Sequence, residues 1–165
     1  MAQRPQTQTD HQPPEPALDF LLHAHVLLGE PHDLGHTPLG HRRVVPILGG
    51  TVSGPRIQGE IVAGGADWQL IREGGWVDLD ARYTARCAGG QLVSIRSTGL
   101  RHGPPEVMRR LLAGQPTAPH EYRFRTVMRF ETAEAGELGW LNHTLALASA
   151  IRQPTAVVID AYEVL

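Results

Sequence analysis

The chain has 165 residues, 41% of them hydrophobic, with 15 Lys+Arg against 17 Asp+Glu, which is the size and apolar content of one globular domain. A formal net charge of −2 leaves no basic field to hold a phosphate backbone, so nucleic acid is not an expected partner. A single cysteine, Cys87, excludes an internal disulfide and a thiolate metal centre; with no bilayer-length apolar run and no apolar leader, the cytoplasm is the expected compartment and a membrane is not an expected partner.

Residues 1–16 are rich in Gln, Pro and Thr and carry too little apolar area to offset the entropy of ordering them, so they read as a disordered tail before a domain at 17–165. Strands are then expected at Leu18–Leu28, Arg42–Leu48, Arg56–Ala63, Asp67–Glu73, Trp76–Cys87, Gln91–Thr98, Tyr122–Thr132 and Ala156–Leu165. The clearest is Trp76–Cys87, where Val77, Leu79, Ala81, Tyr83, Ala85 and Cys87 alternate with Asp78, Asp80, Arg82, Thr84 and Arg86. That period of two puts one face on a core. Tyr122, Phe124, Thr126, Met128 and Phe130 repeat the pattern.

Gly49-Gly50, Ser53-Gly54-Pro55, Gly64-Gly65, Gly74-Gly75 and Gly89-Gly90 read as turns between these strands. One helix is expected at Pro105–Ala113, with proline at its start and Gly114 at its end. Residues 136–152 fit either period: Leu138, Leu141, Leu145 and Ala148 suit a helix, whereas Trp140, Asn142, Thr144, Ala146 and Ala148 suit one face of a strand. The surrounding strands favour the second reading. The outcome is an all-β domain with one short helix, whose antiparallel meander must close as a barrel or pair as a sandwich to hide its edges.

Several strings form a recognisable set: PILGGTVSGPRIQGEIVAGGADWQ (46–69), DLDARYTARCAGGQLVSIRSTGLR (78–101), YRFRTVMRFET (122–132) and WLN (140–142). Together, over roughly residues 18–165, they resemble the family known as domain of unknown function 3237, or uncharacterised protein family 0311. The resemblance implies a single antiparallel β-barrel, calycin-like in outline, with an internal cavity, and it implies no particular reaction. At Ala88-Gly89-Gly90 the chain departs from the acidic residue and glycine that the family carries in that hairpin.

Candidate site residues follow from chemistry placed beside turns. Asp67 and Trp68 come straight after Gly64-Gly65. Asp67 is expected either at the cavity mouth, as a general acid or base against the indole, or capping the turn through backbone N–H groups. Arg82, Arg101 and Arg125, with Arg123, could bind a carboxylate or enolate as converging guanidiniums. Their alternative is an outer ladder of cross-strand pairs, Arg82 with Glu131 or Arg123 with Asp80. Tyr83 and Tyr122 fall on apolar faces, where a phenol is core or proton donor. Trp140 and Asn142 form an aromatic wall beside an amide. His23 and His25 on one strand, with His32, His36 and His41 following, could bind a metal only if a third ligand joined them.

The expected function is binding of a small organic molecule in a barrel lumen, with cofactor-free proton transfer as the chemistry: isomerisation, cyclisation or elimination on an oxo or aromatic substrate. Asp67 would move the proton; Arg82, Arg101 or Arg125 would stabilise developing charge; Trp68, Tyr83, Arg123, Glu131, Trp140 and Asn142 would line the pocket. The rivals are a non-catalytic carrier with the same cavity and a metal-dependent barrel using His23 and His25. A homodimer is the expected assembly, two-fold pairing being the commonest.

Overall fold

A computed structural model of the protein describes residues 13–165. Most of the expected tail, residues 1–12, lies outside the described residues, and 13–16 carry no regular structure. Nine strands follow: β1 (Leu18–Leu28), β2 (His32–Thr37), β3 (Gly40–Ser53), β4 (Gln58–Ile71), β5 (Val77–Cys87), β6 (Leu92–His102), β7 (Arg123–Thr132), β8 (Leu145–Arg152) and β9 (Ala156–Val164), with helix α1 (Pro105–Leu112) between β6 and β7. All pairings are antiparallel, in the order β1-β9-β8-β7-β6-β5-β4-β3-β2. A further pairing of β1 with the second half of β3 closes the sheet. The result is an eight-stranded barrel, with β2 as a short flap along the first half of β3. Among the described residues, closure leaves the flap and the first residues of β1, which pair only with β9, with an open edge.

The alternating pattern decides which side chains fill the tube. Val77, Leu79, Tyr83, Ala85 and Cys87 of β5 and Phe124, Thr126, Met128 and Phe130 of β7 are buried, and the residues between them face out or are only partly covered. Leu22, Ala24 and Val26 of β1, Val93 and Ile95 of β6, and Ala146, Ala148 and Ala150 of β8 complete the wall. The small alanines of β8 leave room in the tube, and Ala150 lines its inner cavity.

Two expected turns are bulges inside long strands. The segments Arg42–Leu48, Arg56–Ala63 and Asp67–Glu73 merge into β3 and β4, whose register shifts between Ile47 and Gly50 and between Val62 and Ala66. A bulge adds residues to one strand and bends it without ending the pairing. In β3 the shift changes the phase of the alternation, so that Val45, Ile47 and Val52 are all buried. Gly50 has φ +136°, and a Cβ there would stand 2.0 Å from the His25 carbonyl oxygen, so the glycine permits the close approach of β1 that closes the barrel. The histidine-rich segment from His32 to His41, given no strand by the sequence, contains β2, held to β3 by pairs such as His36 with His41.

Residues 136–152 split between the two readings. Gly139–His143 is a 3-10 turn and Leu145–Arg152 is the strand, so Trp140 and Asn142 do not share a strand face. Leu138 and Leu141 belong to the core instead, and they close one end of the tube with Ile57, Val93 and Phe130. At the other end α1 buries Val107, Met108 and Leu111. The helix ends at Ala113, and Gly114 (φ +70°) turns the chain away.

Candidate functional site

On four strands the inward face is apolar at one end of the barrel and becomes polar towards the other. On β3 the run Ile47, Val45 is continued by Arg43; on β4 Ile61 is followed, past the bulge, by Asp67 and Gln69. On β6 Val93 and Ile95 lead to Ser97 and Arg101; on β8 Ala146, Ala148 and Ala150 lead to Arg152. Because the strands are antiparallel, register brings these positions together: Arg43 opposite Gln69, Val45 opposite Asp67, and Asp67 opposite Ala81, which in turn faces Ser97. They line two neighbouring spaces that share Val45, Gln69 and Arg101 in their walls. The inner one, between Asp67, Gln69, Tyr83, Ser97, Arg101 and Thr126, is about 40 Å³. The outer one, about 280 Å³, is bordered by Arg43, Gln69, Arg101 and Arg152 under the end of α1.

Asp67 lines the inner space beside Gln69 and Arg101, which border both. Gln69 Nε2 donates to its Oδ2 at 2.8 Å and the Asp80 backbone N–H donates to Oδ1 at 3.1 Å. Burial nevertheless raises its pKa above the ordinary carboxylate value; those two hydrogen bonds and the charge of Arg101 oppose the rise without cancelling it. Arg101 is only 3% exposed. Burial, and then the charge of Arg152, lower its pKa to about 10, with Asp67 acting in the other direction. Its guanidinium carbon lies 5.6 Å from the centre of the Phe124 ring, and its Nε and Nη1 are buried without a hydrogen-bond partner.

The Tyr83 hydroxyl is in the same condition, and burial pushes its phenol pKa up. Ser97 and Thr126 satisfy one another at 2.8 Å. Buried donors without acceptors cost about 1–3 kcal/mol each, and two such groups border this one cavity. A group that accepts from Arg101 and Tyr83 together would recover that cost.

The other expected site residues lie elsewhere. Arg82 faces solvent and, with Arg96, flanks Asp80, at 3.1 Å in each case. The outer ladder is therefore Arg82–Asp80–Arg96, and neither Arg82–Glu131 nor Arg123–Asp80 forms. Burial would raise the Asp80 carboxyl, but the hydrogen bonds from Arg82 and Arg96 outweigh it and hold the pKa low. Trp68 is outside the barrel and 41% exposed, with the Arg82 guanidinium 6.0 Å from its ring. The reason is phase: in a strand only one of two adjacent residues faces inward, and here it is Asp67.

Arg123, Arg125 and Glu131 are exposed on β7. Asn142 is occupied with the Thr132 backbone, accepting at 2.8 Å and donating at 3.0 Å. Trp140 lies beneath the Arg56 guanidinium at 3.9 Å. These residues brace the closed end and the outer wall, away from the lumen cavity. Tyr122 is buried, and its hydroxyl accepts from the Arg152 backbone N–H at 2.9 Å.

His23 pairs with Asp160 at 2.7 Å and His41 with Asp33 at 2.6 Å on the outside. Among the described residues no three His, Cys, Asp or Glu side chains come together as metal ligands. No helix among them is long and apolar enough to cross a membrane.

Arg43, Gln69, Ser97, Thr126 and Arg152 are absent from the sequence-based set. Their signal is a polar residue standing in phase with the apolar face of its strand, whereas proximity to a glycine pair favoured the outward Trp68 and strand polar faces favoured the outward Arg82.

A closed barrel with polar groups gathered at one end of its lumen defines a class of small cavity-bearing β-barrels. The chain belongs to the family described as "Protein of unknown function (DUF3237)", which matches residues 16–164. A UPF0311 protein of Bradyrhizobium diazoefficiens is 39% identical over 138 residues, covering 84% of this chain and 90% of its own. The crystal structure of a conserved protein of unknown function from Rhodopseudomonas palustris is 36% identical, covers 93% of this chain and 100% of its own, and superposes with a TM-score of 0.86. A structure described as that of an enzyme from Penicillium herquei covers 95% and 100%, with a TM-score of 0.70 at 16% identity, a likeness of fold alone.

Proposed function

We propose that the protein is a small-molecule enzyme that moves a proton within its barrel lumen, with Asp67 as the acid–base group and Arg101 as the charge stabiliser. The observation that carries this reading is the pairing, in one cavity, of a carboxyl raised by burial with a buried guanidinium that has two unpartnered N–H groups. A carboxyl raised by burial is easier to protonate than an ordinary one, which suits a group that must both take and return a proton. The chemistry follows from the geometry. Ionised Asp67 accepts a proton from carbon beside a carbonyl. The electron pair moves onto the carbonyl oxygen, and Arg101 holds that oxyanion. Protonated Asp67 then returns the proton to the same or another atom, giving exchange or isomerisation. In a dry site such preorganised donors are worth about 3–4 kcal/mol. The Tyr83 hydroxyl is placed in the same lining to donate to the oxygen. The description of the distant Penicillium herquei structure as an enzyme is in keeping with a catalytic use of this fold.

The test is hydrogen–deuterium exchange at the acidic carbon of β-dicarbonyl and 2-oxo acid compounds in D2O, followed by proton NMR. The wild type is expected to exceed the buffer rate for at least one compound that it binds, and Asp67→Asn to lose the excess while still binding. Compounds that bind yet exchange only at the buffer rate would overturn catalysis and leave the carrier reading.

A further inference from the structure

The outer space at the polar end is positively charged and short of acids. Arg43, Arg101 and Arg152 border it together, close enough that the charges of Arg43 and Arg152 each disfavour that of Arg101 and the charge of Arg43 disfavours that of Arg152. None of the three takes part in an ion pair among the described residues; the pairs there employ Arg56, Arg72, Arg82, Arg96 and Arg110. Nε of Arg43, like Nε and Nη1 of Arg101, is buried and unpartnered. The acids nearby are Asp67, in the wall of the inner space, and Glu30 on the rim of the outer one. The Asp67 charge favours those of Arg101 and Arg152, and Arg152 Nη1 donates to the Ala156 carbonyl at 3.1 Å. Three strands still spend inward positions on mutually repelling cations, and an anion bound between them would offset that cost. The cavity below is apolar apart from its few polar groups, with Val26, Ile47, Leu79, Phe124 and Ile159 in its wall.

From this we infer that the ligand is an organic carboxylate: its anionic end lies between Arg43, Arg101 and Arg152, its body occupies the outer space of about 280 Å³, and only a small carbonyl-bearing end reaches Asp67 in the inner space of about 40 Å³. A carboxylate suits the set because guanidinium groups hold its two oxygens in plane. The apolar wall selects an organic body over an inorganic anion. The inference rests on the lumen being a ligand site and names the class of ligand. Its test reads binding alone, so a failure of the proton-transfer reading leaves it standing.

Titration calorimetry at low ionic strength would compare benzoate and phenylpyruvate with benzamide and with inorganic phosphate. At least one of the two acids is expected to bind ten times or more tighter than benzamide and phosphate. Arg152→Gln and Arg43→Gln should each weaken it tenfold or more, and Asp67→Asn should bind at least as tightly as wild type. Melting curves of the variants without ligand establish that each is folded. Equal binding of acid and amide, binding of phosphate as tight as that of the acids, no binding of either acid, or full affinity in the folded Arg43→Gln/Arg152→Gln double variant would each overturn the inference.

Discussion

The two ends of the barrel are built by the same eight strands and solve opposite problems. At the closed end Leu141, Val93 and Leu22 are fully buried, and Ile57, Leu138 and Phe130 pack with them. That end contributes hydrophobic stability of about 1.5–3 kcal/mol for each large side chain taken out of water. At the other end the inward positions hold Arg43, Asp67, Gln69, Arg101 and Arg152, with unpartnered donors on Arg43, Tyr83 and Arg101. A fold needs the first kind of end. The second kind costs stability, and that cost is the reason for placing the proposed site there.

The comparison can be broken by substitution. The largest effect is expected from Leu141→Ala at the closed end: a loss of about 2–5 kcal/mol in urea unfolding through the cavity it leaves, with ligand affinity at the arginine end unchanged. A loss of affinity equal to that seen in the arginine variants would mean that the ends are not independent. Next, Thr126→Val strands the buried Ser97 hydroxyl and should cost about 1–3 kcal/mol, while the double variant with Ser97→Ala should recover part of it. A double-mutant cycle with no coupling would show that the 2.8 Å contact carries no energy.

Asp67→Asn sharpens the contrast through pH. The folded pKa of Asp67 is raised, so the native state holds a proton that the unfolded chain has already released. The contribution of Asp67 to wild-type stability should fall as pH rises from about 3.8, the unfolded value, through the folded value. The gap between variant and wild type, measured by denaturant midpoints at several pH values, should therefore move in favour of Asp67→Asn over that window. A gap moving the other way would mean that Asp67 is stabilised as the anion. The smallest effect belongs to Arg82→Gln on the outer wall: about 0–1 kcal/mol and no change in ligand affinity or exchange rate. A loss of turnover there would return Arg82 to the site.

Much of the fold is legible in the chain because alternation and turn chemistry are local. The strands β1, β5, β7 and β9 and the helix α1 stand close to where the period of two and the proline–glycine punctuation put them. Bulges are not local in that sense. Gly49-Gly50 and Gly64-Gly65 read as turns because glycine serves turns and bulges alike, and only the partner strand decides between them. The site divides the same way. Asp67, Tyr83 and Arg101 are recoverable as polar groups on or near apolar faces. Arg43 and Arg152 become neighbours only through closure of the barrel, which no single strand encodes. Outward arginines on β5 and β7 compete with them on composition alone.

The account turns on the state of the Asp67 carboxyl, and carbon-13 NMR of that side-chain carboxyl across a pH titration, assigned by its disappearance in Asp67→Asn, measures it. The expected midpoint lies above 3.8, the ordinary value for aspartate. A midpoint at or below that value would describe a carboxylate held ionised by water or by Arg101, and would contradict a proton-moving group in the lumen.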